Sequence, residues 1–416
     1  MIDCIQENGD ISKIILYNGI QKNNLEDPME TNHTEEILLG AFSEVPDPRA
    51  SYNQKHRFID ILTITILATI CGADTWDEIE DWGNTNLEWL KSFLVLENGI
   101  PSHDTFNRVF QMIDPKKLHE AFQTWVNGII TKLEGVVAID GKTIRRSKEE
   151  ISQTKPAHIV SAWANSLSMV LGQVKVDEKS NEITAIPELL KTLSIKGCIV
   201  TIDAMGTQKA IASQIVESGA EYILSLKENQ GTLYQEVSEY FEKELFAQNK
   251  GELEKAGKYY KTLCQDHGRI ETREYYLENE IDWMKDARKE WKTLGAVGAC
   301  RSRVEENGNV REYTRYMIIS DGKMSAKTFG DSQRGHWGIE NQLHWCLDIA
   351  FNEDSCRMRS KNVAENMNLI RHIALNLLKQ EKSVKMGLKS KRKKCGWDKE
   401  YLYLVLSKLN YSNPIN

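Results

Sequence analysis

Apolar residues recur every three or four positions from residue 35 to residue 133, and this spacing predicts a helical N-terminal domain. The most apolar run, Phe58 to Gly72, carries Asp60 and falls short of the roughly 18 apolar residues that a membrane span needs. We therefore expect a buried helix there. Ser102 and the pair Asp114-Pro115 are typical of helix starts.

The pattern changes at Gly135, where short β-branched runs begin to alternate with helical segments. These runs predict strands at residues 136–140, 158–164, 168–176, 197–204 and 221–227, with helices near residues 187–193 and 208–218. Strands that alternate with helices indicate an α/β fold, in which a mixed sheet carries helices on its faces.

Three more alternating runs follow at residues 269–277, 294–304 and 311–320, and they predict a β-rich insertion or an appended antiparallel sheet within about residues 231–320. The helical spacing returns at Ala326 and continues to about Glu381. The predicted parts of the chain are a polar, acidic leader, a helical domain, an α/β domain and a basic tail, at residues 1–34, 35–133, 134–381 and 382–416.

Charge and cysteine content narrow the class of protein. The 416 residues include 53 Lys and Arg against 60 Asp and Glu, so an indiscriminate polycation is excluded, while a local basic surface remains open. Eight cysteines occur without a CxxC pair, which favours reduced thiols over disulfides or structural zinc. The acidic N-terminus lacks the features of a signal peptide, so we expect a cytoplasmic protein without membrane contact.

Two aspartates stand where apolar strands end. Asp140 closes the run VVAID, and Asp203 closes the run CIVTID. Each aspartate alone is typical of a turn start. Together they would place two carboxylates at the sheet edge where open α/β sheets bind ligands, and a cation would relieve their repulsion. This pair predicts Mg²⁺ and a phosphate-bearing substrate.

A third acid, Glu340, lies on a predicted helix within a row of polar residues spaced by four: His336, Glu340, His344 and Asp348. The row has three interpretations: a solvated face, a metal-binding stripe, or one acid that docks against the two strand aspartates. The apolar neighbours Trp337, Ile339 and Trp345 predict that this helix is largely packed. Zinc is disfavoured because HExxH is absent.

Basic residues cluster twice. Lys142, Arg145, Arg146 and Lys148 follow Asp140 directly, where cations would lower carboxylate pKa values and attract a polyanion. The second cluster holds seven Lys and Arg residues within residues 382–394, and we interpret it as a solvated, flexible end.

The motifs VVAIDGKTIRRS, TIDAMGTQKAIA, SLKENQ and HWGIENQLHWCLDIAFNED occur in this order. From about residue 39 to about residue 381 the chain resembles insertion-sequence transposases of the DDE superfamily, including the H-repeat-associated proteins. The resemblance implies a ribonuclease-H-like core with a β-rich insertion, an all-helical DNA-binding domain before it and helices after it. It also assigns the three acids of the catalytic site to Asp140, Asp203 and Glu340.

The activity implied by the resemblance is metal-dependent cleavage and transfer of DNA strands at the ends of the element. Two Mg²⁺ ions, or Mn²⁺ as a substitute, would be held by the three acids. The implied partners are double-stranded DNA with the terminal inverted repeats of the element, and further copies of the chain in a homo-oligomer on the DNA ends.

One departure from a related pattern concerns DNA contacts. A large related group carries Tyr-x2-Arg-x3-Glu-x6-Lys, whereas these positions here hold Gln333, His336, Glu340 and Leu347. The side chains that contact DNA near the cut must therefore be other residues of this chain. The candidates are Lys142, Arg145, Arg146, Lys227, Arg334, His336 and His344.

Two other functions remain open at this point. A catalytically inactive remnant could persist as a DNA-binding repressor of its element. A small-molecule metallohydrolase could use His336, Glu340 and His344, in which case the protein would hold zinc and lack DNA affinity.

Overall fold

A computed structural model describes residues 40–407 except residues 41, 131, 149–154, 178–179, 267 and 292, so the predicted leader lies outside the described residues. The chain forms two compact units. We call them the sheet unit, with residues 132–143 and 158–345, and the helical unit, with the described residues from 40–131, 144–157 and 346–407.

The sheet unit contains one nine-stranded sheet in the order β3-β2-β1-β4-β5-β9-β8-β7-β6. β1, β4 and β5 run parallel to each other, and every other neighbouring pair is antiparallel. The strands are β1 (Gly135–Thr143), β2 (His158–Ala164), β3 (Met169–Lys175), β4 (Cys198–Ile202), β5 (Glu221–Leu226), β6 (Tyr259–Asp266), β7 (Arg269–Glu278), β8 (Ala296–Glu306) and β9 (Asn309–Ile319).

The β-rich segment is continuous with the central sheet, because β9 pairs with β5 and extends the same ladder. Eight strands fall where the alternation predicts them. β6 was not predicted, since Leu263 shares an exposed face with Lys261 and Gln265 and breaks the apolar–polar alternation.

Helices of the sheet unit follow the predicted strand–helix order. They are α6 (Glu182–Thr192), α7 (Lys209–Glu217), α8 (Gly231–Tyr240), α9 (Lys250–Lys255), α10 (Lys285–Glu290) and α11 (Ala326–Gly338). π-helical turns follow α8 at Phe241–Leu245 and α11 at Ile339–His344. Phe329 of α11 packs with Tyr275 and Met317 in an apolar core on one face of the sheet.

The helical unit is built around two buried helices that pack on each other, α1 and α13. Its helices are α1 (Phe58–Ile70), α2 (Trp76–Thr85), α3 (Leu87–Leu90), α4 (His103–Met112), α5 (Pro115–Ile129), α13 (Val363–Gln380), α14 (Leu388–Trp397) and α15 (Lys399–Ser407). A short helix, α12 (Trp345–Phe351), begins at the last residue of the sheet unit. None of the helices in the described part of the chain is long and apolar enough to cross a membrane.

Local signals in this unit are confirmed. The apolar run from Phe58 forms the buried helix α1. Ser102 caps α4 by accepting a hydrogen bond from the Thr105 backbone, and Asp114 caps α5 with Pro115 in the first turn. The seven cysteines within the described residues are free thiols, as predicted.

The interpretation of the second basic cluster as a solvated end is wrong for part of it. Lys391 and Arg392 of α14 are buried. The Arg392 guanidinium donates hydrogen bonds to the backbone carbonyls of Thr69 and Ala73 and pairs with Asp74 at 2.8 Å. The burial of Lys391 and Arg392 could not be predicted from composition, because a buried cation needs hydrogen-bond acceptors that only the folded chain supplies.

Asp60 gives the helical unit a pH-dependent stability. The side chain is buried in α1, its Oδ2 has no hydrogen-bond partner among the described residues, and burial raises its pKa to about 6. The folded protein therefore holds a proton on Asp60 that the unfolded chain loses near pH 4, so stability falls as the pH rises from about 4 to about 6.

We expect Asp60→Asn to remove this dependence. Relative to wild type, the variant should gain roughly 2 kcal/mol in free energy of unfolding between about pH 4.5 and about pH 7.5. Urea unfolding at both pH values measures the difference. Asp81→Asn, at an exposed position of α2, is the control whose effect should not change with pH. An equal effect of Asp60→Asn at both pH values would show that Asp60 is charged throughout.

Candidate active site

Asp140 within β1 and Asp203 directly after β4 lie side by side. The prediction that the first strand ends at Asp140 is wrong, because β1 continues to Thr143 in its pairing with β2. β1 and β4 are parallel neighbours, and Ile139 pairs with Ile202, so each aspartate follows directly after this pair. This is the juxtaposition predicted from the two apolar runs. Asp203 also starts a turn, since its Oδ1 accepts hydrogen bonds from the backbone N–H groups of Met205 and Gly206 at 3.0 and 3.4 Å.

Glycines bring the helix that carries Glu340 close to the sheet. A Cβ at Gly335 would lie 3.2 Å from Val136 of β1, and a Cβ at Gly338 would collide with the Asn165 side chain. Glu340 follows within the π-helical turn Ile339–His344, a distortion that often occurs at functional sites. The close approach of α11 thus places Glu340 beside Asp140 of β1.

Asp140, Glu340 and His344 form a compact cluster. Their potential ligand atoms lie within 4.8 Å of one another. His344 Nδ1 is 3.7 Å from Asp140 Oδ2 and 3.6 Å from Glu340 Oε2. His344 is buried, and the Nδ1 edge of its ring faces the two carboxylates. Its Nε2 has no hydrogen-bond partner among the described residues.

The two carboxyl groups of this cluster have pKa values shifted in opposite directions. Burial raises the pKa of Asp140, and the neighbouring Glu340 carboxylate raises it further. The His344 ring, whose Nδ1 lies 3.6 Å from Glu340 Oε2, holds the pKa of Glu340 low. The negative charge of Glu182 also raises the pKa of Asp140. The site therefore favours a bound cation, either a proton or a metal ion.

The donor set fits a divalent metal. Two carboxylates supply the oxygen ligands that Mg²⁺ and Mn²⁺ prefer, and the imidazole nitrogen of His344 is better suited to a transition metal such as Mn²⁺. Asp203 is outside this cluster, and its Oδ1 is engaged in its own turn. Two of the three predicted acids are therefore brought together, with a histidine as the third member.

His336 takes a different position from the predicted metal-binding stripe. Its Nδ1 lies 3.0 Å from Thr201 Oγ1 on β4, and it interacts electrostatically with both Asp203 and Glu340. Burial lowers the pKa of His336 and so favours its neutral form, although the negative charges of Asp203 and Glu340 act in the opposite direction. The stripe of His336, Glu340 and His344 does not form one cluster, which removes the geometric basis of the zinc hydrolase hypothesis.

The candidate DNA-contacting residues are spread over both units. Arg334 of α11 is exposed and lines a cavity of about 520 Å³ in the sheet unit together with Arg269 and Arg273 of β7. Lys142 lies on β1 and is half-buried, whereas Lys227 is exposed just after β5. The two β7 arginines carry no recognisable sequence signal, because only strand pairing brings them beside α11.

Arg145 and Arg146 belong to the helical unit. Both are exposed, and Arg145 Nε lies 3.2 Å from Asp354 Oδ2. Their place in the sequence directly after Asp140 therefore does not make them members of the carboxylate cluster.

The helix that carries Glu340 is largely packed, as predicted, but Trp337 and Trp345, which suggested the packing, are themselves exposed. Their exposed fractions are 41% and 60%, whereas Ile339 is fully buried. Trp337 lines the same cavity as Arg334, and the Arg315 guanidinium lies 5.4 Å from the centre of a Trp337 ring. An exposed indole beside arginines is a surface on which a nucleic-acid base or sugar can pack.

Comparisons with known proteins identify the family of this chain. Residues 131–377 match the Transposase DDE domain family, and residues 39–126 match a family described as DDE_Tnp_1-associated. YhhI of Escherichia coli (strain K12), named as an H repeat-associated transposase candidate, is 42% identical over 375 residues, which cover 89% of this chain and 97% of YhhI. YncI of Escherichia coli O157:H7, named as a transposase candidate, is 42% identical over 89% of this chain and 94% of its own.

A cryo-EM structure of the piggyBac transposase synaptic complex with hairpin DNA matches 97% of this chain and 82% of that chain. The TM-score of 0.39 and the 9% identity are too low to support an argument about fold. The match to the family model over residues 131–377 and the 42% identity to YhhI over 89% of this chain do show the family. The chain belongs to the DDE transposase family, together with the H-repeat-associated proteins.

Proposed function

We propose that this chain is an active insertion-sequence transposase that cleaves and transfers DNA strands at the ends of its element. The observation that carries the proposal is the cluster of Asp140 and Glu340 with His344, beside which Asp203 follows the neighbouring strand. Family membership supplies the substrate class, which is DNA.

Asp140, Asp203 and Glu340 would hold two Mg²⁺ or Mn²⁺ ions, with His344 beside them. For Asp203 to take part, its Oδ1 must give up the hydrogen bonds to Met205 and Gly206. The metal ions, when bound, would polarise the scissile phosphate and activate the attacking hydroxyl.

The residues of the chain have three tasks in this mechanism. Asp140 and Glu340 would hold a metal ion between them, since the burial of Asp140 beside a second carboxylate favours a bound cation. Thr201 positions His336 near Asp203 and Glu340. Arg334 and Trp337 line the neighbouring cavity and provide a cation and a stacking surface for the DNA strand.

The proposed partners are the terminal inverted repeats of the element and further copies of this chain, since the joining of two ends needs at least two active sites. Of the remaining candidates, Lys142 and Lys227 are placed in the sheet unit, where they would add phosphate contacts.

The test is a cleavage assay on labelled duplexes taken from the DNA that flanks the gene, with Mg²⁺, with Mn²⁺ and with EDTA. We expect metal-dependent cleavage at a defined position near the end of the element. Binding without cleavage would instead identify a repressor. Neither binding nor cleavage, together with tightly held zinc, would identify a metallohydrolase.

A further inference from the structure

The segment that leads into and forms α14 is strongly basic. Residues 382–397 contain seven Lys and Arg residues and no acid: Lys382, Lys385, Lys389, Lys391, Arg392, Lys393 and Lys394. The inward set consists of the buried Lys391 and Arg392 with the half-buried Lys394. Lys382 and Lys385 are exposed before α14 begins, and the outward set consists of the two exposed lysines of the helix itself, Lys389 and Lys393.

The inward set holds α14 in place. Lys391 donates hydrogen bonds to the backbone carbonyls of Leu378 and Glu381, and Arg392 binds backbone carbonyls and Asp74 as described above. Lys394 pairs with Asp398 at 2.7 Å. These contacts fix the rotation of the helix about its axis and so determine which residues face outward.

The outward set forms a single row with Trp397. Lys389, Lys393 and Trp397 are spaced by four, so they lie along one face of α14 and span about 12 Å along its axis. All three are exposed, and Trp397 reaches an exposed fraction of 80%. Ser390 beside the row is exposed too, whereas Gly396 lies against the backbone of Cys71, where a Cβ would come within 2.9 Å of the carbonyl oxygen.

Neither lysine of the row makes an ion pair with any residue that the structure describes. Two lysines at this spacing repel each other, and a large indole in water gains nothing for the fold. A face that is only solvated would be expected to show either the neighbouring unpaired lysines or the exposed indole, and not both. A polyanion would relieve the repulsion, and a partner with apolar sugars or bases would cover the indole.

We propose that Lys389, Lys393 and Trp397 form a binding surface for the phosphate backbone of duplex DNA. We call it the α14 row. The proposal rests on the proposed function for the identity of the polyanion. The lysines contact phosphates, and Trp397 packs against a sugar or a base edge at one end of the contact. This surface contributes affinity without sequence selectivity, since phosphates carry no sequence information.

The experiment measures binding of the full chain to a labelled duplex from the gene-flanking DNA by fluorescence anisotropy, at several salt concentrations and without divalent metal, so that no strand is cut. The variants are Lys389→Gln with Lys393→Gln, and Trp397→Ala. The control is Lys243→Gln with Lys289→Gln, which removes two exposed lysines of the sheet unit that pair with Glu239 and Asp286.

We expect the double lysine variant to lower the slope of log affinity against log salt by about 1.8, which corresponds to two released counterions at about 0.9 each. Trp397→Ala should weaken binding several-fold with the slope unchanged, since a stacking contact is uncharged. The control should bind like wild type, and circular dichroism should show that every variant is folded.

Three results would overturn the proposal. An unchanged slope in the double lysine variant would show that the α14 row makes no phosphate contact. An equal loss in the control would show a general charge effect. Wild type that fails to bind DNA would remove the proposed function as well, whereas wild-type binding with unaffected α14 variants would remove only this inference.

Discussion

Glu340→Gln is expected to lower the rate of DNA strand cleavage by more than about 100-fold, because the neutral amide cannot balance the charge of a metal ion beside Asp140. DNA affinity should stay within a few-fold of wild type, since lysines and arginines supply most of the binding energy. Single-turnover cleavage of an end-labelled duplex measures the first quantity, and a mobility-shift titration measures the second.

The matched control is Glu239→Gln, which makes the same chemical change at an exposed position of α8. It should cleave at the wild-type rate. Undiminished cleavage by Glu340→Gln would remove Glu340 from the active site.

The activity of Asp203→Asn shows whether Asp203 is one of the metal ligands. If Asp203 leaves its turn to bind metal, this variant should be as inactive as Glu340→Gln. If Asp140, Glu340 and His344 alone hold the metal, Asp203→Asn should retain most of the activity, because its amide oxygen can still accept the backbone hydrogen bonds of the turn.

Arg392→Met is expected to reduce the free energy of unfolding of the helical unit by about 3–5 kcal/mol, because it leaves Asp74 and several backbone carbonyls without their donor. The guanidinium also lies 4.3 Å from the centre of the Phe351 ring, so packing is lost together with charge. Urea unfolding monitored by circular dichroism measures the change.

Lys393→Met, one residue further along α14, is the control for this prediction. Its side chain is exposed, and the change should alter stability by less than about 0.5 kcal/mol. Equal effects of the two variants would show that the buried contacts of Arg392 add no stability.

Short-range patterns in the sequence predicted much of the secondary structure of this protein. The apolar runs that end at Asp140 and Asp203 are strands, and the caps at Ser102 and Asp114 start helices, because each depends on a few neighbouring residues. The parallel pairing of β1 with β4 places the two aspartates side by side, as expected if their strands are neighbours, although the strand order itself was not predicted.

Features that depend on distant contacts were not predictable in the same way. The inward direction of Arg392 depends on carbonyls more than 300 positions away. The exposure of Trp337 and Trp345 depends on which face of α11 and the following π turn meets the sheet, and a regular spacing of four does not describe a π turn. For the same reason the sequence did not show that His344 would join Asp140 in one cluster.

The packing of α1 on α13 has a consequence for biosynthesis. About 290 residues separate the end of α1 from the start of α13, and both helices are almost entirely buried. A ribosome adds about 5–20 residues per second, so the nascent α1 would wait on the order of 15–60 seconds for its partner. During this interval its apolar surface would be available to chaperones or to aggregation. A fragment that ends near residue 133 would lack α13 permanently, so truncated copies of the gene should not yield a stable helical unit.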